Sequence, residues 1–246
     1  MNTGDTTFIL FCSTLVFFMT PGLAFFYGGL VRRKNVLNTM MSSLFIMGLS
    51  SALWILVGYS LSFSGDHGHI IGDFTNAFLR GIGMNDLSQY SETIPALVFV
   101  GFQMMFAIIT PALITGSVAG RMRFKALFIF ILLWLFVVYY PLAHMVWGKG
   151  GFLGEVLGSV DFAGGNVVHI SSGVSGLVLS LLLGSRRGYK KQAYATHNIP
   201  FIILGATILW FGWFGFNAGS ALAANGLAAH AFMTTGTSAA FALLSW

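Results

Sequence analysis

The sequence predicts an all-α polytopic membrane protein, and three observations carry that prediction. Of its 246 residues 56% are hydrophobic and 8% are charged, against about 25% charged in a soluble domain. Seven apolar runs are each long enough to cross the hydrocarbon core, which takes roughly 20 residues of helix. The Lys and Arg residues gather in every second loop between those runs. The runs fall at 8–31, 36–63, 94–119, 124–147, 162–184, 199–217 and 221–245, in one transmembrane domain over 1–246. The seventh, rich in Ala and Thr, is the weakest. A closed barrel is the other spanning solution, but its strands alternate in hydrophobicity and these runs do not.

Orientation follows from the loop charges, because Lys and Arg favour the cytoplasmic side. Loop one holds Arg32, Arg33 and Lys34; loop three Arg121, Arg123 and Lys125; loop five Arg186, Arg187, Lys190 and Lys191. The even loops hold Arg80, Lys149 and most of the acids. The N-terminus is therefore expected outside, with the seventh span ending inside at Trp246. The formal charge of +5 is read as a topology signal and not as a nucleic-acid surface. One cysteine, Cys12, excludes an intrachain disulfide. The first run lacks the positive n-region of a signal peptide and is read as a span.

Ionisable residues inside spans are costly and mark candidate sites. Asp161 opens the fifth run. There it can accept hydrogen bonds from the helix's first N–H groups, and its charge can also attract a cation near the outer mouth. His169 lies eight residues on, which at ~1.5 Å per residue is ~12 Å deeper. A buried imidazole there is expected to be neutral, because leaving water disfavours its cation. It can serve as a helix–helix hydrogen bonder or meet a small polar solute. His144, near the outer end of the fourth run, reads as a structural hydrogen bonder; His230 has no physical assignment. Pro21, Pro111 and Pro141 read as ordinary kinks.

Aromatic residues make a second constellation. Phe102 and Phe106, four apart, share a helix face. Trp147 ends the fourth run, and Trp210, Trp213, Phe214 and Phe216 crowd the sixth. An interfacial belt explains such residues and is preferred for Trp210. Phe106, Phe216 and Trp147 can instead form a small cage whose ring faces attract a cation. Ser220 can supply a hydroxyl acceptor. Gly215 and Gly219 are spaced for a tight helix contact.

Four segments carry a family resemblance. They are Pro21–Gly29 followed by Arg32–Asn35, Ala143–Gly148, Asp161–Gly165 running to His169 and Arg186, and Gly212–Ser220. In this order they resemble the ammonium transporter (Amt/methylamine permease/Rhesus) family over nearly the whole chain. The resemblance implies eleven helices built from two five-helix inverted repeats, of which this chain would supply the first repeat and two helices of the second. The last helices, with a second pore histidine, would be lacking. It further implies ammonium or methylammonium capture by Trp147, Phe106 and Ser220, supported by Asp161. A phenylalanine gate of Phe106, Phe216 and Phe102 would lie beneath, and His169 would line an apolar pore that conducts ammonia, with separate or coupled proton movement. A homotrimer in the plasma or inner membrane follows, with a PII-type regulatory protein at the cytoplasmic face. No enzyme activity, cofactor, metal or nucleic acid is implied. An ammonium sensor with the same capture site is the alternative. A retinal-binding receptor needs a lysine in the last span for its Schiff base, and the seventh run has none. Haem ligation by His169 and His230 is a further rival.

Overall fold

The structure, a computed structural model, describes residues 1–186, 188–191 and 193–245. Arg187 and Trp246, both used in the topology reading, lie outside them. Among the described residues seven helices are long and apolar enough to cross a membrane. They are α1 (Thr3–Leu30), α2 (Arg33–Phe63), α3 (Ala96–Val118), α4 (124–147), α5 (Gly165–Leu183), α6 (Ile199–Gly219) and α7 (Gly226–Ser245). Among the described residues there is no strand, only two isolated bridges in the loop between α2 and α3.

α3 is the axis of the bundle. Phe99, Phe102, Phe106, Ile108 and Ile114 are all buried along it. The outer faces are apolar and open: Val137 is 72% exposed, Leu182 79% and Leu244 82%. Such surfaces suit lipid or further helices and not water.

Of the helix starts that differ from the sequence expectation, three have a capping reason. α5 begins at Gly165 and not at 162, because residues 161–164 form a turn around the Asp161 carboxylate. α7 begins at Gly226 and not at 221, because the Asn225 side chain accepts from Leu227 N and Ala228 N at 3.0 and 3.1 Å. α1 starts earlier, at Thr3, where Asn2 caps Asp5 N.

Pro21 and Pro111 lie within continuous helices. Pro141 is handled differently: the chain widens into a π turn over Leu135–Tyr139 just before it. A proline ring clashes with the carbonyl four residues back and lacks a donor, and a wider turn relieves both. α2 carries a matching π turn at Trp54–Gly58. The two wide turns meet, with the Trp54 and Tyr140 rings 6.2 Å apart. Trp54 Nε1 donates to Val100 O of α3 at 3.1 Å.

His144 is fully buried, and its two ring nitrogens face Ser62 O at 3.2 Å and Asp66 Oδ1 at 3.0 Å. It bonds α4 to the end of α2, which fits a structural hydrogen bonder. Asp66, in the loop, is held below the usual carboxylate range chiefly by the bond from His144.

α1 and α6 pack backbone against backbone. A Cβ added at Gly212 would lie 2.8 Å from Leu15 O, and one at Gly215 would lie 2.9 Å from Cys12 O. Small residues permit this approach in membranes. At the far end of the seam His197 N and Asn198 N both donate to Gly29 O, at 2.9 and 3.1 Å. Because a carbonyl cannot move aside as a flexible side chain can, Gly215→Val is expected to lower stability by about 1–3 kcal/mol. Gly48→Ala, with nothing within 4 Å of the added atom, is the control and should not destabilise. Melting of the detergent-purified variants tests the pair, and equal melting temperatures would refute the seam.

Candidate functional site

A cavity of about 280 Å³ opens where α3, α4 and α6 come together at the Asp161 end of the bundle. Trp147, Phe106, Phe102, Ser220 and Asp161 all line it. Five of the seven residues singled out from the sequence therefore converge on one space.

The rings are set by packing between helices. Phe106 meets Trp147 at 5.8 Å between centroids and 83°, and meets Phe216 at 4.4 Å and 44°. Phe102 lies 5.0 Å from Phe106, one turn along α3. All three Phe side chains are 1% exposed. Phe102 can sit against α6 because residue 219 is glycine: a Cβ there would come within 2.8 Å of the ring. Trp147 is fixed from the other side, its Nε1 donating to Asp161 O at 2.8 Å.

Asp161 is occupied with backbone. Its Oδ1 accepts from Gly164 N and Gly165 N at 2.6 and 2.7 Å, and its Oδ2 from Asn166 N and Val167 N at 2.7 and 3.1 Å. A carboxylate has about four lone-pair sites, and all four are in use. The turn needs Gly164 in the left-handed region, at φ 100°, a conformation glycine enters without strain.

Ser220 Oγ donates to Phe216 O at 2.9 Å. Its proton is thereby directed away, and the oxygen keeps acceptor capacity. Gln103 also lines the cavity, and its Oε1 is buried without a hydrogen-bond partner. The sequence reading passed over Gln103, although an amide between Phe102 and Met104 in an otherwise apolar run was a visible signal. Tyr90 completes the wall. It stacks on Phe99 at 4.8 Å, with its hydroxyl donating to Phe63 O at 3.0 Å, and burial pushes its phenol well above the ordinary value.

His169 does not line this cavity. It lies on the other side of Phe216, 5.7 Å from that ring and stacked on Trp213 at 5.6 Å. α5 starts at Gly165 with a wide π turn, so His169 is four residues into the helix and not eight. Apart from that stack its side chain is exposed and not buried. Trp210 likewise departs from the expected belt. It sits midway along α6, lining an open apolar groove between α6 and α7, with its Nε1 buried and unpartnered. His230 is exposed on α7 and takes no part in the site.

Rings, a hydroxyl and a buried amide around a small cavity in an apolar helical bundle mark a polytopic membrane protein with a candidate site for a small solute. The chain matches the model of the Ammonium Transporter Family over residues 7–246 and belongs to that family. It is 51% identical to an ammonium transporter of Bacillus subtilis (strain 168), over all of this chain and 59% of that one. Its structure is similar to that of Saccharomyces cerevisiae Mep2, with a TM-score of 0.86 at 35% identity, covering 96% of this chain and 54% of that chain. It is also similar to a solved structure described as a sensor Amt protein, with a TM-score of 0.86 at 28% identity over 96% of this chain and 59% of that one. The chain thus spans little more than half the length of these relatives.

Asp161 gathers the start of α5, so its removal should act on stability first. Asp161→Ala is expected to cost at least about 2 kcal/mol, as the loss of a helix cap with charge-assisted bonds. Asp161→Asn, which keeps one acceptor oxygen, should fall between. Thermal melting reads the order, and an Ala variant that melts like the parent would overturn this role.

Proposed function

We propose that this chain recognises ammonium or methylammonium in the cavity beside Trp147 and Phe106 and takes part in moving it across the membrane as an ammonium transporter. The observation that carries this reading is a cavity made for a cation out of neutral parts. Two ring systems meet there at 83°, Ser220 turns an acceptor towards it, and the Gln103 Oε1 has no other partner. Ring faces attract a desolvated cation by ~2 kcal/mol or more. At ~30 Å³ per water, 280 Å³ admits ammonium with several waters. Asp161 acts on the cation through its field and not by contact, since its lone pairs are taken.

Beneath the cavity, Phe106 and Phe216 form the gate, with Phe102 packed behind them. His169 lies past the gate and is the pore histidine, meeting ammonia after the proton has left. The N-terminus is outside and the basic loops are cytoplasmic. The working protein is a homotrimer in the plasma or inner membrane, open to a PII-type regulator at the cytoplasmic face. Transport is preferred over sensing because the relative named as a transporter shares 51% of its residues, against 28% for the sensor structure.

Two measurements test the reading. Trp147→Leu keeps an apolar side chain but removes the ring face; the half-saturation for methylammonium uptake by cells should rise about tenfold, equivalent to ~1.4 kcal/mol. An unchanged half-saturation would remove Trp147 from the site. His169→Ala should leave cation binding intact and change conduction, lowering the rate or the preference for ammonium over potassium. A variant with parental rate and selectivity would exclude His169 from the path.

A further inference from the structure

The opposite end of the bundle, where α1, α3 and α5 finish, has another chemistry. Ten of the twelve Lys and Arg residues lie in its loops, and all seven Asp and Glu residues lie elsewhere. Four of those cations, Arg32, Lys34, Arg121 and Arg186, line one cavity of about 500 Å³.

Part of this cluster has a structural explanation. Arg186 Nη1 donates to Ala119 O just past α3 at 2.8 Å, and Arg121 Nη1 donates to Gly184 O just past α5 at 2.6 Å. Each arginine caps the other's helix, as cations near helix C-termini do. Capping does not explain Arg32 and Lys34, nor why four like charges converge instead of spreading into solvent. The Arg32 and Arg186 guanidinium carbons each lie 5.0 Å from the centre of one ring, that of Tyr194. Arg121 Nε is buried with no hydrogen-bond partner among the described residues. Burial and then the charge of Arg186 lower the Arg121 guanidinium below the ordinary arginine value. Among the described residues no carboxylate pairs with any of the four.

We infer that this cavity binds a phosphate group, carried by an acidic lipid headgroup or free in solution. Phosphate oxygens match the planar donor fork of arginine, and basic pockets between membrane helices suit lipid headgroups. A bound phosphate relieves the repulsion among the four cations. The inference is independent of the ammonium site at the other end.

The whole purified protein in neutral detergent is titrated at constant ionic strength with sodium phosphate and, separately, with dihexanoyl phosphatidylglycerol. Dihexanoyl phosphatidylcholine is the control, and the melting temperature is read. A saturable rise is expected with phosphate, with the glycerol lipid or with both, and none with the choline lipid. Phosphate alone identifies a solute site, the glycerol lipid alone a headgroup site, and both together show that the phosphate chemistry suffices. Arg32→Gln combined with Lys34→Gln should shift the midpoint at least tenfold while leaving the unliganded melting temperature unchanged. Should that variant melt lower, Lys34→Gln alone decides, and an unchanged midpoint in it overturns the proposal. No saturable rise with either ligand, an equal rise with the choline lipid, or a parental midpoint in the double variant would also overturn it.

Discussion

A helix that begins inside a membrane bundle has no water to accept bonds from its first N–H groups. In this chain the Asp161 carboxylate takes the N–H groups of residues 164–167. The rest of the site depends on that arrangement. The turn that presents the carboxylate also presents Asp161 O, which holds the Trp147 indole. The helix that starts there carries His169 to the far side of Phe216. One side chain thus sets the relation between a wall of the cavity and the histidine beyond Phe216.

The second constraint is the close seam between α1 and α6. Glycines at 212 and 215 bring α6 onto the α1 backbone, and Gly219 admits the Phe102 ring. With α6 fixed against α1 and α3, Phe216 reaches Phe106 at 4.4 Å, and Ser220 reaches the cavity one turn later. A larger residue in the seam would displace Phe216 and Ser220 together. Glycines outside the cavity therefore set the spacing of Phe106 and Phe216.

Much of this was legible in the sequence. Span number followed from run length, and the Phe102–Phe106 pair followed from helical spacing. The spacing of Gly215 and Gly219 announced a close contact, though not its partner. Other features depend on tertiary structure that no local pattern encodes. The depth of His169 was counted as if the helix began at Asp161, while a carboxylate-centred turn takes up the first residues. Trp210 read as a belt residue because its neighbours are aromatic, yet its position on α6 places it against α7. Gln103 was passed over because one amide hardly changes an apolar run; its meaning comes from the cavity it faces. The paired π turns at Trp54 and Leu135 left no sequence signal beyond Pro141.

The chain uses its five aspartates to hold backbone. Asp5, Asp66, Asp73, Asp86 and Asp161 each accept at least one backbone N–H. What remains for the proposed cation site is ring faces, a hydroxyl and an amide. The physical consequence concerns release. An exposed carboxylate in a low-dielectric cavity would hold a monovalent cation strongly, and a tightly held ion leaves slowly. Neutral groups worth a few kcal/mol bind a cation that sheds part of its water and let it go again. Asp161 lines the cavity with its oxygens already taken by backbone N–H groups, so at the proposed site it can raise the local cation concentration without becoming a trap. The proposed transport calls for a site that is occupied often and emptied often, and neutral rings beside a saturated carboxylate suit both needs.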